Sequence, residues 1–196
     1  MKSIPAILVA AAAALWAPAA LAANLTVVKV NAPAVNCVFD PSCTVVANDS
    51  TGSLKFTQFD GGFFQSRTFP AGKAGTVGAC KTPYLYRLDL TQGSKFADCV
   101  VGMTLNFGPV TQLTYPTNQP GHVFVITTGG LGSDGIKSAE QNGDVITFTF
   151  DTPLCAGQTS FFFGLAAANA PQGAAATTFG FGTPGFYQVD ARVPQH

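Results

Sequence analysis

Charged side chains are scarce in this chain of 196 residues, and the shortage limits the partners that it can have. Lysine, arginine, aspartate and glutamate make up 10% of the sequence, against about 25% in ordinary soluble domains. Basic and acidic residues number ten each, and the basic ones form no block. We therefore expect no electrostatic attraction to nucleic acid or to an anionic membrane surface.

Residues that favour helices or supply catalytic groups are also few. Glu140 is the only glutamate and Trp16 the only tryptophan. The two histidines are His122 and His196. Glycine, by contrast, occurs 21 times and phenylalanine 17 times. Few helix formers with many strand and turn formers predict an all-β protein.

Long apolar runs are confined to the N-terminus, which has the pattern of a secretory signal peptide. The basic start Met1-Lys2 precedes an alanine-rich apolar run over residues 4–14. Ala20-Leu21-Ala22 then supplies the two small residues that signal peptidase requires. The sequence thus predicts a signal peptide over residues 1–22 and one mature domain over residues 23–196.

A membrane anchor fits this N-terminal stretch less well. Pro5 and Pro18 bracket a segment that is shorter than the about 20 apolar residues of a spanning helix. No later segment of the sequence is long and apolar enough to span. We therefore expect export, with the mature protein secreted, periplasmic or on the cell surface.

Beyond the signal peptide, apolar residues repeat with a period of two, the pattern of strands with one buried face. On the clearest strand, Ile146, Phe148 and Phe150 alternate with Thr147 and Thr149. Turn-forming sequences separate such strands about every ten residues. These features predict a single antiparallel β-sandwich, jelly-roll-like or immunoglobulin-like, of about nine to eleven short strands.

One strand departs from this alternation. Residues 160–165 carry bulky apolar groups at consecutive positions, with Phe161, Phe162 and Phe163 in a row. Such a run is typical of a strand that is buried on both faces. We therefore expect this strand near the centre of a sheet.

The five cysteines all follow the signal peptide, and disulfides are expected in an exported protein. Cys37 and Cys43 flank a turn with a central proline, so we predict that they bond to each other. We predict Cys80–Cys99 as a second bridge, across a hairpin, with Cys155 as the unpaired thiol. The spacings lack paired C-x-x-C knuckles, so no metal site is predicted.

Groups that catalysis requires form no coherent set in the sequence. Gly132-Ser133-Asp134-Gly135 has the wrong spacing for a nucleophile elbow. His122 has no placed partner, which favours a structural imidazole. Four carboxylates lie close together in sequence, and a converging pair would suit glycoside hydrolysis. Turn formation explains them better, and their spacing does not match an EF-hand loop. They are Asp134, Glu140, Asp144 and Asp151.

An aromatic, glycine-rich segment near the C-terminus is the best candidate for contact with a ligand. Its glycines would let a loop display the rings to a glycan or a partner protein. The alternative is that the rings tuck into one end of the sandwich. The candidate contact residues are Phe179, Phe181, Phe186 and Tyr187.

Together, these features favour an exported, non-catalytic β-sandwich of bacterial type with an extracellular binding, adhesion or surface and matrix structural role. Its expected partners are a glycan, a matrix or surface protein, or further copies of itself, and no cofactor is predicted. The alternative function is a secreted carbohydrate-active or other hydrolytic enzyme that uses the clustered carboxylates.

Overall fold

Strands dominate the fold, as the composition predicts. The structure, a computed structural model, describes residues 22–47, 49–51, 62–92, 98–168, 172–182 and 186–195. These residues hold helix α1 (Ala32–Asn36), a 3-10 turn (Pro116–Asn118) and fourteen strands. The strands are β1 (Ala23–Leu25), β2 (Val27–Asn31), β3 (Asp49–Thr51), β4 (Phe63–Thr68), β5 (Lys81–Asp89), β6 (Val100–Asn106), β7 (Leu113–Tyr115), β8 (Gln119–Gly121), β9 (Val123–Thr128), β10 (Ile136–Asn142), β11 (Val145–Leu154), β12 (Phe162–Ala168), β13 (Gln172–Phe181) and β14 (Phe186–Pro194).

Two six-stranded sheets pack face to face as a β-sandwich. Sheet A has the strand order β1-β10-β11-β6-β13-β14, and sheet B has the order β2-β9-β12-β5-β4-β3. Pairing is antiparallel throughout both sheets except between β2 and β9, which are parallel. The predicted all-β sandwich is confirmed. The strands outnumber the predicted nine to eleven because β1, β3, β7 and β8 have three residues each, too few to show alternation.

Alternating apolar residues fill the space between the sheets. Ile146, Phe148 and Phe150 of β11 all point inward and are buried. The Phe148 ring packs against Phe163 of sheet B, with the ring centroids 5.2 Å apart. Burial of these side chains supplies the main driving force for packing the two sheets together.

Sheet B also buries part of its outer face, over β2, β9 and β12, beneath a cap formed by α1 and residues 37–47. Phe39 of the cap packs against Phe124 of β9, with the ring centroids 6.4 Å apart. Phe162 lies under the same cap and is 6% exposed, whereas Phe163 belongs to the core between the sheets. The predicted burial of this strand on both faces is confirmed.

Local sequence explains why the cap begins with a helix. The Asn31 side chain accepts a hydrogen bond from the backbone N–H of Ala34, which caps the helix at its first turn. Pro33 follows in that turn, where a missing N–H has no cost. The helix ends at Cys37, and the chain then turns back through Asp40.

The chain crosses from sheet A to sheet B at Thr26, and His122 holds the crossing. The backbone N–H of Thr26 donates to Nδ1 of His122 at 3.1 Å. The Thr26 carbonyl accepts hydrogen bonds from the backbone N–H groups of His122 and Val123 at 2.9 and 3.0 Å. The imidazole therefore has a structural role, as the sequence favours.

Strand β14, at the edge of sheet A, is tied to sheet B through the backbone of Arg192. Its N–H donates to Oγ of Ser66 at 2.7 Å, and its carbonyl accepts from the hydroxyl of Tyr86 at 2.6 Å. Burial raises the pKa of Tyr86 well above its ordinary value, so the phenol remains a donor. Side chains of one sheet thus satisfy backbone groups of the other.

The disulfides agree with the sequence in one case and differ in the other. Cys37 and Cys43 are bonded, as predicted, with their Cα atoms 4.1 Å apart. Cys99 is bonded to Cys155, and Cys80 is free and exposed. The predictions of a Cys80–Cys99 bridge and of Cys155 as the unpaired thiol are therefore wrong.

Sheet topology explains why Cys99 pairs with Cys155. The predicted bridge assumed that β5 and β6 form a hairpin, but β5 belongs to sheet B and β6 to sheet A. Instead, β6 pairs with β11, and Val100 lies opposite Leu154. The residues just before β6 and just after β11 are therefore adjacent.

Two disulfides are compatible with an oxidising compartment. Among the described residues, no helix has both the length and the apolar character to cross a membrane. The disulfides agree with the predicted location outside the cytoplasm, which itself rests on residues 1–22. Of those, only Ala22 lies within the described part of the chain.

Removing the Cys99–Cys155 bond is expected to destabilise the protein more than removing Cys37–Cys43. The two bonds join residues 56 and 6 positions apart, and the chain-entropy model gives about 4 and about 2 kcal/mol for loops of these sizes. Denaturant unfolding of the two Cys→Ser double variants measures the difference. An equal loss of free energy of unfolding in both variants would contradict the assignment.

His122 is expected to make stability depend on pH near neutrality. Burial lowers its pKa in the folded state, so the unfolded chain, with a histidine pKa of about 6.5, binds the proton more readily. The free energy of unfolding should therefore be constant at higher pH and fall as the pH drops through about 6.5. Unfolding measured between pH 8 and 5 checks this.

Two histidine variants test this assignment, one that removes the titrating group and one that serves as its control. His122→Gln should flatten the pH dependence, whereas His196→Gln should leave it in place. Asp40, whose pKa is lowered to about 2 chiefly by a hydrogen bond from Lys73, affects stability only in more acidic solution. A pH dependence that survives in His122→Gln would show that another group is responsible.

Candidate functional site

A row of hydroxyl and other polar side chains crosses the outer face of sheet A. Thr147 of β11 lies opposite Thr104 of β6, which in turn lies opposite Thr178 of β13. Glu140 of β10 extends the row on one side and Gln188 of β14 on the other. Adjacent strands are about 4.8 Å apart, so the three threonines form a continuous line.

A shallow groove of about 270 Å³ lies beside this line, over β6, β11 and β13. In the next row of the sheet, Thr149 lies opposite Gly102, and Gly102 lies opposite Gly180. The glycines leave the groove open because neither has a side chain to fill it. A Cβ at Gly102 would lie 2.3 Å from the carbonyl oxygen of Phe148, so no other residue fits there.

Gly180 is open for a different reason. A Cβ at this position would come no closer than 3.9 Å to the nearest atom, which belongs to Val101. Its backbone φ does not require glycine either. A larger side chain would therefore fit at this position and would occupy the groove. We call the six residues that define this surface the threonine face: Gly102, Thr104, Thr147, Thr149, Thr178 and Gly180.

The chemistry of the threonine face is that of rigid, neutral hydroxyl groups. Thr147 and Thr149 are exposed, and Thr104 and Thr178 are half-buried. Each hydroxyl can donate and accept a hydrogen bond, and each methyl group offers a small apolar contact. Branching at Cβ restricts the side-chain rotamers. Such a face suits a ligand that presents both hydroxyl groups and C–H surface.

The sequence alone does not reveal this face, although part of the signal is present. Thr147 and Thr149 alternate with the inward-facing phenylalanines of β11, which places both on the outer side of a strand. The remaining residues join them only because β6 lies between β11 and β13. That order brings together strands that are far apart in sequence, and no local pattern reveals it.

The aromatic segment near the C-terminus is arranged differently from the prediction. Phe179 is 0% exposed and packs edge-on against Phe64, with the ring centroids 5.1 Å apart. The prediction that Phe179 contacts a ligand is therefore wrong, because its position in β13 directs the side chain into the core. Phe181 ends β13, and Phe186 and Tyr187 begin β14, so these residues are strand and not loop. Their side chains lie outside the described part of the structure, and their contact with a ligand stays a prediction.

Asp134, one of the four candidate carboxylates, is a structural residue. It is 9% exposed. Its Oδ1 accepts hydrogen bonds from the backbone N–H groups of Gly135 and Thr152, at 2.9 and 3.3 Å. Its Oδ2 accepts from the Thr152 hydroxyl at 2.5 Å. These bonds hold the start of β10 against β11.

The other three carboxylates are exposed and spread along the hairpin of β10 and β11. Glu140 lies on β10, Asp144 in the turn between the strands, and Asp151 beside Gly135 at the far end. Asp134 is near Asp151, but the structure does not bring all four together. Within the described residues, no three histidine, cysteine, aspartate or glutamate side chains are grouped so that they could hold a metal ion.

Comparison with known proteins adds no further assignment. No protein-family model matches the chain, and neither the curated proteins nor the solved structures searched contain a match. Any functional conclusion therefore depends on the chemistry and geometry of the chain itself. The threonine face, with its open groove, is the surface that these favour.

Proposed function

We propose that this protein is an exported, non-catalytic β-sandwich that binds an extracellular glycan through the threonine face, in adhesion or in building a surface or matrix. The observation that carries the proposal is the line of Thr104, Thr147 and Thr178 beside a groove that Gly102 and Gly180 keep open. A carbohydrate chain presents the hydroxyl groups and C–H surface that such a groove can contact.

Rigidity supports a binding role for this face. The threonines stand on paired strands of a packed sandwich, and their rotamers are restricted by branching at Cβ. Binding therefore orders few flexible groups, which keeps its entropic cost low. The groove is shallow and open to solvent, so we expect weak affinity for a single site. Adhesion would then depend on several copies acting together on one polymer.

Export supports an extracellular ligand. The signal peptide predicted over residues 1–22 would direct the chain out of the cytoplasm. The disulfides Cys37–Cys43 and Cys99–Cys155 would be maintained in an oxidising compartment. A hydrolytic function has weaker support, because the Asp134 carboxylate is already bonded to Thr152 and Gly135.

Gly180→Val is expected to weaken glycan binding strongly without unfolding the protein. The valine side chain has room at this position but would occupy the groove. Wild-type protein should be retained by at least one polysaccharide in a panel that includes cellulose, chitin and soluble β-glucans. The variant should bind that polysaccharide at least about tenfold more weakly. The valine side chain would keep the ligand out of the groove, and a loss of about 1.4 kcal/mol of binding free energy already raises the Kd tenfold.

Ala174→Val is the matched control. Ala174 lies on the same strand and the same face, is exposed, and is about 20 Å from Gly180 at the usual rise per residue. This variant should bind as the wild type does, with an unchanged midpoint of thermal unfolding. Wild-type binding to none of the polysaccharides, or equal binding by the Gly180→Val variant, would refute the proposal.

A further inference from the structure

Two arginine side chains of sheet B lie together on one phenylalanine ring. Arg67 of β4 and Arg87 of β5 are diagonal neighbours, since Arg67 pairs with Leu85 and Arg87 with Gln65. Cζ of Arg67 lies 4.8 Å from the centroid of the Phe162 ring, and Cζ of Arg87 lies 5.6 Å from it. Each contact is a favourable cation–π interaction. Together they hold two positive charges close to each other.

Arg87 is already fixed by other groups. Its guanidinium forms an ion pair with Asp89 at 2.5 Å, and its Nε–H donates to the Thr159 hydroxyl at 3.2 Å. The Arg87 side chain is only 12% exposed. The Asp89 carboxylate is thus already bound to Arg87.

Arg67 lacks an equivalent partner. Its Nε is buried and has no hydrogen-bond partner among the described residues, and no ion pair joins its guanidinium to a described carboxylate. Burial and, secondarily, the charge of Arg87 lower the pKa of Arg67. Buried donors in folded proteins nearly always have a partner. The pair therefore has an excess positive charge, and Arg67 has a donor without a partner.

We propose that Arg67 and Arg87 together bind one oxyanion, a carboxylate, sulfate or phosphate group, on the outer face of sheet B. A guanidinium donates two parallel hydrogen bonds to such a group, and the Phe162 ring holds both guanidiniums in position. An anion there would compensate the excess charge and would give the Arg67 fork acceptors. This site lies on the other sheet from the threonine face and is independent of the proposed function.

The local charge argues for a single anionic group. Arg67, Arg87 and Asp89 sum to one positive charge, and the chain as a whole has no net charge. Long-range attraction of a polyanion is therefore not expected. The group would be a free ion or one acidic substituent on a larger molecule, and the two sources are separable by experiment.

Isothermal titration of the full mature protein tests the proposal. Sodium sulfate and sodium phosphate probe free ions, and the methyl glycoside of galacturonic acid probes a single carboxylate carried on a sugar, with sodium chloride at equal ionic strength as the reference. We expect saturable binding of at least one probe by the wild type. Arg67→Gln should weaken that binding about tenfold or more, because hydrogen bonds between charged groups are among the strongest.

Lys29→Gln is the charge-matched control, since Lys29 is an exposed cation on strand β2 of the same sheet. This variant should bind as the wild type does. Arg67→Lys, which keeps the charge but loses the fork, should bind less tightly than wild type and serves as the test if Arg67→Gln fails to fold.

The outcomes separate the two sources and the two sites. Binding of the inorganic ions supports a free anion, whereas binding of the galacturonic acid glycoside alone supports an acidic substituent on a glycan. Gly180→Val should leave anion binding intact. The anion site can therefore be confirmed or refuted independently of the threonine face. No saturable binding by the wild type, unchanged binding in both Arg67 variants, or an equal loss in Lys29→Gln would overturn the proposal.

Discussion

Burial of strand β12 of sheet B on both faces is the constraint on which the rest of the structure depends. Phe162 and Phe163 are consecutive, so they point to opposite sides of one strand, and each needs apolar cover. Sheet A covers one side. The other is covered by α1 and residues 37–47, where Phe39 reaches Phe124 and the Cys37–Cys43 bond closes the cap. With those elements used on sheet B, the outer face of sheet A carries polar side chains instead.

Features that depend on neighbouring residues could be predicted from the sequence. Alternation along β11 predicts a strand with one buried face, and the run around Phe162 predicts one with two. The Cys37–Cys43 bond spans six positions across a turn, so chain geometry alone brings the thiols together. Helix α1 has only five residues, too few for apolar periodicity to reveal it. The capping side chain of Asn31, followed by a proline in the first turn, was the available signal.

Features that depend on strand order could not be predicted. Cys99 meets Cys155 because β6 lies beside β11, whereas the sequence favours a hairpin with β5. The alanine-rich residues of β13 have low strand propensity and form a strand because β6 and β14 flank them. Phe179 has glycines close by, which suggests a loop, yet its place in β13 buries it. The threonine face depends on the strand order β11-β6-β13 of the same sheet. The same feature, strand order, therefore explains why neither this face nor the Cys99–Cys155 bond could be predicted from local sequence.

The two surfaces differ in the hydrogen-bond partners that are open to their polar side chains. On sheet A the threonine hydroxyls face solvent, and water can replace a ligand at little cost, so affinity depends on shape and on repeated contacts. On sheet B the stacked guanidiniums of Arg67 and Arg87 are partly removed from water, and a missing acceptor there costs more. A neutral polymer therefore suits the first surface and a single anionic group the second. Because they lie on opposite outer faces of one sandwich, both can be occupied at once.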